Sequence, residues 1–551
     1  MIGAGLPETP DENGAFPRLD DRERERFRRL GRVRAVEPGE VLFSAGERGR
    51  SFFVIESGSA AIVQGYGDEN RVVAVQGAHR FLGELSLLIG QRLYLTGVMR
   101  EAGEVIEIPL PRIWQLVSED KAISDMILSA FIARRALLVG LGAGIKLIGS
   151  RLSPDSRRLR EFLARNQMPY TWIDLEADDE ADGLLRRLEV AASETPVVIA
   201  SGGEILRNPS TAELGAALGL GWRTVPPALC DVVVVGAGPA GISASLYAAS
   251  EGLDVQAVEA IAAGGQAGTS SRIENYMGFP AGVSGNELTE RGRMQAAKFG
   301  ARLTTPAAAV TLRSEPGRHR IELSNGATAT GRTVVIATGA QYRRLDVPRL
   351  TNFEGGGVYY AATQAEAQLC AGELVVVVGG GNAAGQAAMF LSETSTCRLL
   401  IRGDDLGKSM SRYLVDQVER NPSIDVRKHT EVAGLHGEHE LEALTVADNR
   451  TGERSQVASK ALFVFIGASP HTEWIDHQLA TDKAGFLLTG RDIGADALDE
   501  FRGEQPLFLE TSRPGVFAVG DVHAGSIKRV ASAVGEGSMA VRLIHQRLAA
   551  L

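Results

Sequence analysis

Two glycine-rich turns have the spacing that cradles a dinucleotide pyrophosphate. In the first, Gly236, Gly238 and Gly241 form G-x-G-x-x-G directly after the apolar run VVVV and open a helical pattern. The first glycine allows a tight turn, the second lets the backbone approach a pyrophosphate, and the third lets helix pack on strand. Glu259 ends the next apolar run, where its carboxylate can accept hydrogen bonds from ribose hydroxyls. The strand, helix and acid together favour a nucleotide site over a plain glycine-rich turn.

The second turn reads G-x-G-x-x-A at Gly379, Gly381 and Ala384, again after VVVV. Its second strand, CRLLIRG, ends in a base rather than an acid. Three basic residues lie at or beyond that end: Arg402, Lys408 and Arg412. Such bases can pair with a 2′-phosphate, which favours NADPH, with NADH as the alternative. The competing interpretation is that these side chains are simply solvated.

Thiol and metal chemistry have little support in the sequence. Only three cysteines occur, Cys230, Cys370 and Cys397, and no two have C-x-x-C spacing. We interpret Cys370 as a core residue, because a free cysteine usually behaves as a small hydrophobe. The nine histidines show no metal-ligand spacing, so no metal site is expected.

Strand–helix–strand patterns surround both turns. One unit is DVVVVGAGPAGISASLYAASEGLDVQAVEA, and ELVVVVGGGNAAGQAAMFLSETSTCRLLIRG follows roughly 140 residues later. Two such units predict two dinucleotide-binding domains. Upstream, residues 22–140 show short strands between glycine turns and a closing helix, which predicts a small β-barrel or jelly roll. Residues 141–224 have the order β-α-β-α-β-β-α, and residues 1–21 are predicted to be a flexible leader.

Bulk composition limits the partners. The 551-residue chain carries a net charge of −10 and has a pI of about 5.6, which argues against a nucleic-acid surface. No apolar stretch approaches the roughly 18 residues that a membrane helix needs. The N-terminus lacks a signal-peptide pattern, so a cytoplasmic protein is expected.

Seven stretches between residues 228 and 551 form a characteristic set: GAGPAG, GGQ, IENYMGFP, ATG, GGGNAA, PGVFAVGDV and KRVASAVGEG. Together they resemble the low-molecular-weight thioredoxin reductase family. The resemblance implies an FAD domain in two pieces, 228–341 and 471–551, with an NAD(P)H domain inserted at 342–470. It also implies a homodimer.

The resemblance assigns cofactor contacts to individual positions. Asp521 is expected to hydrogen-bond the ribityl or phosphate region of FAD, and residues 529–531 to lie near the isoalloxazine. The implied FAD residues are Gly236, Gly238, Pro239, Ala240, Gly241, Glu259, Gly265, Gln266, Asn275, Thr338, Gly339, Gly520, Asp521, Arg529, Val530 and Ala531. The implied NADPH residues are Gly379, Gly381, Asn382, Ala383, Ala384, Arg402, Lys408 and Arg412.

The family's redox motif C-A-T-C is altered in this chain. Aligning GVYYAATQAE with it places Ala361 and Gln364 at the two cysteine positions. A dithiol reductase needs one thiolate to attack a disulfide and a second to resolve it. Neither alanine nor glutamine can do this, so no catalytic side chain is assigned.

The two upstream regions also resemble known families, but this chain lacks reactive residues that those families carry: one arginine in the first region and two cysteines in the second. FLGELSLLIGQRLYLTGV resembles the phosphate-binding cassette of cyclic-nucleotide-binding domains. Glu84 matches the residue that this family uses on the ribose 2′-hydroxyl, whereas Leu93 stands at the position of the phosphate-binding arginine, with Arg92 adjacent. Burying an anion without a cationic partner is costly, so cAMP or cGMP, another effector, or no ligand all remain open.

Residues 141–224 resemble glutaredoxin- and thioredoxin-like domains. Ser153-Pro154-Asp155-Ser156 stands where that family carries C-P-x-C, and Thr195-Pro196 matches its cis-proline position. Serine hydroxyls form no disulfides. A helix N-cap therefore explains the SPDS sequence better than redox chemistry does.

The sequence thus predicts a multidomain chain: a jelly-roll domain, a small α/β domain, and two Rossmann-like α/β domains. The first functional hypothesis is an oxidoreductase that passes electrons from NADPH via FAD to a non-disulfide acceptor, such as a quinone or a protein carrier. The alternative is a ligand-gated flavoprotein redox sensor whose upstream domains control or recruit partners. A third hypothesis, in which a partner protein supplies the dithiol, ranks last.

Overall fold

A computed structural model of the chain describes residues 5–550 except 67–68, 85, 88–90, 179–180, 221–228, 271–272, 274–275, 316, 355, 361, 363, 439, 476, 496–500 and 502–503. The chain divides into two compact units. The first comprises Met1–Pro226, Glu259–Ala262 and Ala297–Ala308, and the second comprises Pro227–Val258, Ala263–Ala296 and Ala309–Leu551.

The first unit begins with a segment that packs on the barrel. Thr9 N donates to Val75 O at 3.0 Å, and Leu19 N donates to His79 O at 2.7 Å. Phe16 is 9% exposed and belongs to a buried cluster with Ala15 and Ala74. The prediction of a flexible leader over residues 1–21 is therefore wrong for residues 9–19, because Ala15 and Phe16 pack against barrel strands and the helix Lys121–Leu141.

The barrel consists of two four-stranded antiparallel sheets, in the orders β1-β8-β3-β6 and β2-β7-β4-β5. A buried cluster takes side chains from both sheets, including Ile55 of β3 and Met99 of β7. This confirms the predicted jelly roll. Its elements are α1 Asp21–Leu30, β1 Arg32–Val36, β2 Val41–Phe43, β3 Ser51–Ser57, β4 Ala60–Tyr66, β5 Glu69–Gln76, β6 Phe81–Leu82, β7 Thr96–Met99, β8 Gly103–Pro109, α2 Leu110–Glu119 and α3 Lys121–Leu141.

The second part of the first unit is a four-stranded sheet in the order β10-β9-β11-β12. Its first pair is parallel and the others are antiparallel. The elements follow the predicted order: β9 Ile145–Gly149, α4 Pro154–Arg165, β10 Tyr170–Asp174, α5 Ala181–Arg187, β11 Val197–Ile199, β12 Ile205–Arg207 and α6 Thr211–Ala217. Strand β15, Arg302–Thr304, also lies within the first unit.

The second unit contains a sheet in the order β14-β13-β18-β17-β16, with β29 beside β18. Strands β14, β13, β18 and β29 run parallel, although β29 lies far downstream in the chain. The elements are β13 Cys230–Val235, α7 Pro239–Ser250, β14 Val255–Val258, α8 Gly285–Lys298, β16 Ala309–Glu315, β17 Arg318–Leu323, β18 Thr328–Ile336, β29 Val516–Ala518 and α13 Val530–Ala550. Two distant chain segments therefore share one sheet.

Between β18 and β29 the chain forms a second sheet system. Strands β20-β27-β21-β22-β23 form an all-parallel sheet, and β24-β25-β26 form an antiparallel one. Successive residues of the parallel sheet point to opposite faces. Val377 belongs to the buried cluster on the helix side, and Val378 belongs to the cluster shared with the antiparallel sheet. An antiparallel pair, β19 with β28, joins the segments at which the chain leaves and returns.

The elements of this inserted region are β19 Ala340–Tyr342, α9 Leu350–Phe353, β20 Val358–Tyr359, α10 Gln364–Leu369, β21 Leu374–Val378, α11 Asn382–Leu391, β22 Thr396–Leu400, α12 Arg412–Arg420, β23 Ile424–Arg427, β24 Thr430–His436, β25 Ala443–Asp448, β26 Arg454–Ala458, β27 Ala461–Val464 and β28 Ala468–Pro470. No helix among the described residues is long and apolar enough to span a bilayer.

Candidate cofactor and nucleotide sites

The first glycine turn joins β13 to α7 and leaves room only for bare backbone. A Cβ at Gly236, where φ is +103°, would collide with the carbonyl oxygen of Ala337. A Cβ at Gly241 would collide with the carbonyl oxygen of Gly236. Gly238 caps α7, whose first residue is Pro239. The free N–H groups of this helix end therefore face an open turn that suits a pyrophosphate.

The GGQ loop lies directly against this turn. Gly264 N donates to Ala237 O at 2.7 Å, and a Cβ at Gly265 would approach the Gly238 Cα to 2.9 Å. The Gln266 side chain donates to the carbonyl oxygen of Ala340. Because Gly264 and Gly265 have no side chains, this loop can lie directly against the first glycine turn.

The ATG segment connects the two chain pieces at this site. Thr338 Oγ1 donates to His471 O at 2.8 Å, and His471 N donates to Gly339 O at 3.0 Å. These bonds fix the segment beside the point where the chain returns from the inserted region.

The GDV turn packs on the start of α7. A Cβ at Gly520 would lie 2.9 Å from the Ala240 Cβ, so the turn tolerates only glycine there. Gly520 N donates to Glu536 at 2.6 Å. Burial raises the pKa of Asp521 above its ordinary value, and Lys528 Nζ donates to the Asp521 backbone oxygen at 2.6 Å.

The long helix α13 begins just beyond this turn. Arg529 and Ala531 are exposed at its start, beside Val530. Ser243 of α7 donates to Val534 O at 2.7 Å and ties the two helices together. The N-terminal end of α13 favours negative charge, and the position of residues 529–531 near the isoalloxazine stays a prediction.

These features fit FAD. Two glycine turns with no room for a Cβ, two helix N-termini and the half-buried Asp521 lie within one unit. Glu259 follows β14 as predicted, and its carboxylate accepts a hydrogen bond from Ile261 N at 3.0 Å. Its contact with a ribose stays a prediction, and Asn275 lies outside the described residues.

The second glycine turn joins β21 to α11. A Cβ at Gly379 would collide with the carbonyl oxygen of Phe465. The following loop lies across the turn: Ser409 Oγ donates to Gly380 O at 2.9 Å, and Ser411 N donates to the Asn382 side chain at 2.7 Å. Ala383 and Ala384 continue α11, and Ala384 is fully buried.

The chain matches known proteins over this same region. The sequence model of the family described as pyridine nucleotide-disulphide oxidoreductase matches residues 230–537. The chain belongs to this family. Residues 33–120 match the cyclic nucleotide-binding domain.

Three similar proteins support the assignment. A thioredoxin reductase of Streptomyces clavuligerus is 32% identical over 322 residues, covering 58% of this chain and 94% of that protein. The NADPH-dependent thioredoxin reductase 3 of Arabidopsis thaliana is 30% identical over 368 residues, covering 65% of this chain and 61% of the relative. The crystal structure of the T. acidophilum thioredoxin reductase aligns with a TM-score of 0.51 and 27% identity, covering 57% of this chain and 98% of that one. The oxidoreductase is thus an FAD-dependent NAD(P)H enzyme of thioredoxin reductase type.

In the oxidoreductase, the three basic residues that follow the second glycine turn differ in their ion-pair partners. Lys408 pairs with Asp404 at 2.7 Å, and Arg412 pairs with Asp416 at 3.0 Å. Arg402 is exposed two residues after the end of β22 and forms no ion pair with any other residue that the structure describes. The contact of Arg402 with a 2′-phosphate stays a prediction.

The segment aligned with the family's dithiol is partly described. Ala361 lies outside the described residues, and Gln364 begins α10. Burial raises the pKa of Cys370 to about 11 and that of Cys397 to about 12. Both thiols belong to one buried core cluster, which confirms that Cys370 is a core residue. Tyr359 packs on Phe463, with ring centroids 5.2 Å apart.

The upstream motifs take mainly structural roles. Ser153 accepts a hydrogen bond from Ser156 N at 3.4 Å as the N-cap of α4, which confirms the helix-cap interpretation of the SPDS sequence. Thr195-Pro196 is a cis peptide, as predicted. Glu84 pairs with Arg135 at 3.1 Å, a partner that sequence reasoning missed. Within the described residues, no cluster of His, Cys, Asp or Glu suits a metal ion.

Proposed function

We propose that the oxidoreductase takes a hydride from NADPH and passes the electrons to an acceptor that is not a disulfide. The observation that carries this proposal is the sequence: two glycine turns are kept, while Ala361 and Gln364 align with the family's cysteines. The three cysteines are free and buried, and none forms a C-x-x-C pair. A dithiol relay within this chain therefore lacks its thiols.

FAD, when bound, supplies the centre that accepts a hydride and releases electrons. The chain's own residues would bind and orient it. The turn from Gly236 to Gly241 would hold the pyrophosphate through backbone N–H groups, and Gly265 would keep side-chain bulk away from it. Asp521 lies at a turn beside the start of α7, where its carboxylate could accept a hydrogen bond from a hydroxyl of the ribityl chain.

Arg402 supports NADPH as the preferred donor, with NADH as the alternative. A guanidinium presents several N–H donors in a fork that matches a phosphate. Its two basic neighbours already have carboxylate partners. The name of the Arabidopsis relative, NADPH-dependent thioredoxin reductase 3, agrees with this preference.

An anaerobic titration of the purified flavoprotein tests the donor half of the proposal. NADPH is expected to bleach the flavin absorbance at lower concentration than NADH. Steady-state assays then compare quinones, flavodoxin and ferredoxin with thioredoxin and DTNB. Turnover with disulfides alone, abolished by Cys370→Ser, would overturn the proposal and revive a thiol mechanism.

The match of residues 33–120 to a cyclic nucleotide-binding domain favours a second candidate, in which the upstream unit controls the flavoprotein or recruits its partner. This candidate includes a thioredoxin-like fold for residues 141–224, supported by the sheet order β10-β9-β11-β12 and the cis Thr195-Pro196. A homodimer, proposed from the resemblance, is tested by sedimentation. A flavin that neither nucleotide reduces would favour this regulatory role over catalysis.

A further inference from the structure

The carboxylate of Glu84 already has a partner within the chain. Arg135, on α3, donates through one terminal nitrogen to Glu84 at 3.1 Å and to Ser86 Oγ at 3.0 Å. Both charged side chains are nearly buried, with 11% and 6% of their surface exposed. The second carboxylate oxygen, Glu84 Oε1, is also buried and has no hydrogen-bond partner among the described residues. A buried charge in this position is costly unless it is paired, so the pair holds both groups in place.

The same arginine reaches the neighbouring sheet domain. Its other terminal nitrogen donates to Gln167 O at 3.3 Å, just before β10. Its guanidinium lies 5.1 Å from the centre of the Tyr94 ring, and the Tyr94 hydroxyl contacts Met168 Sδ. Tyr94 and Met168 also share one buried cluster with the core of that domain. Arg135 therefore bonds to both parts of the first unit at once.

The place where a phosphate would need a cation is apolar. Leu93 is 4% exposed and Leu87 is 3% exposed, and both approach the space above Gly49. The adjacent Arg92 donates to the carbonyl oxygen of Gly46 at 2.8 Å. An anion placed beside Leu93 would lose its water without gaining a charged partner there.

We propose that the buried Glu84–Arg135 pair joins the barrel to the β9–β12 domain, and that the apolar setting of Leu93 disfavours a cyclic phosphate. A ligand that took Glu84 Oε2 would have to displace Arg135 and leave a buried guanidinium without its carboxylate. The Glu84–Arg135 pair thus serves as a fixed joint within the first unit. The proposal is independent of the flavin chemistry.

A double-mutant cycle in the full-length flavoprotein tests the joint. Arg135→Gln and Glu84→Gln are each expected to lower the unfolding midpoint of the first unit by roughly 5 °C or more. Because the two residues act as one pair, the unfolding midpoint of the double variant should be no lower than that of the less stable single variant. Arg29→Gln, which removes an exposed i,i+4 pair with Glu25, is the matched control and should change the midpoint little.

Calorimetry on the unmutated chain gives a second readout that needs no variant. Millimolar cAMP or cGMP should produce no saturable heat and no rise in the unfolding midpoint. If the decreases in unfolding midpoint of the two single variants simply added in the double variant, the proposed joint would be contradicted. Saturable binding of either nucleotide that is lost in Glu84→Gln would show that Glu84 takes an external ligand instead.

Discussion

Arg547 forms a two-pronged ion pair with Glu510, whose carboxylate is fully buried. Its Nε and Nη2 donate to the two carboxylate oxygens at 2.9 and 2.7 Å. Glu510 also accepts from Leu507 N at 2.9 Å and from Gly515 N at 2.8 Å. The pair therefore fixes the end of α13 against the segment that leads into β29.

Removing the arginine should loosen the flavin domain. Arg547→Gln leaves a buried carboxylate without its cation, which typically costs about 3–5 kcal/mol of the free energy of unfolding. Since α13 packs on α7, flavin should be released at a lower temperature, as followed by flavin fluorescence on heating. His545→Gln, which removes an exposed contact with Glu251, is the control. Equal release temperatures for the two variants would contradict the role of the pair.

The local patterns were the predictable part of the structure. Both glycine turns form between a strand and a helix as expected, because the spacing of Gly236, Gly238 and Gly241 is set by neighbours a few residues away. The position of Arg402 after β22 follows in the same way. Helix and strand order in residues 145–217 was equally accessible, since apolar periodicity is a local signal.

Long-range pairings could not be predicted in this way. Arg135 lies in a helix 51 residues from Glu84, and its sequence neighbourhood resembles any helix with a solvated base. Phe16 has no periodic apolar neighbours, and its burial depends on a strand that begins at Glu69. The contact of Ser411 with Asn382 likewise arises only when the loop folds back. Such contacts are set by tertiary packing rather than by spacing.

Arg402 offers a test of nucleotide preference. Arg402→Gln should raise the KM for NADPH roughly 10- to 100-fold, because a charge-assisted hydrogen bond to phosphate is worth about 1.5–3 kcal/mol. The KM for NADH should change little, since NADH lacks the 2′-phosphate. Initial rates of nucleotide oxidation at varied concentrations measure both.

Lys408→Gln is the matched control for Arg402, because Lys408 already pairs with Asp404. It should leave the KM for both nucleotides within about 3-fold of the starting protein. A larger rise in the NADPH KM for Lys408→Gln than for Arg402→Gln would reverse the assignment of the phosphate-binding base.

The first glycine turn can be probed with two helical glycines. Gly241→Ala places a Cβ against the carbonyl oxygen of Gly236, so the helix can no longer approach the strand as closely. This variant should purify largely without the yellow flavin absorbance. Gly535→Ala, in α13, places its Cβ in open space and should retain full flavin content. Flavin-to-protein absorbance ratios compare the two, and a flavin-replete Gly241→Ala protein would argue against the cradle.

His319 should make the stability of the flavin domain depend on pH. It is 4% exposed in β17, and its Nδ1 lies 2.8 Å from Ser314 Oγ. Burial, reinforced by the charge of Arg513, lowers its pKa to about 4. In the unfolded chain the pKa returns to about 6.5. Between pH 6.5 and 4 the unfolded state therefore binds more protons, and the free energy of unfolding falls as the pH is lowered.

The loss attributable to His319 is on the order of 3 kcal/mol across that range, and it ceases below the folded pKa. His319→Gln cannot take up the proton, so its unfolding midpoint should fall less steeply between pH 6.5 and 4. His436→Gln, which alters an exposed histidine bonded to Thr445, should keep the original slope. Thermal scans at half-unit pH intervals distinguish the three proteins. Identical slopes for all three would mean that the acid sensitivity comes from the carboxylates and not from this buried ring.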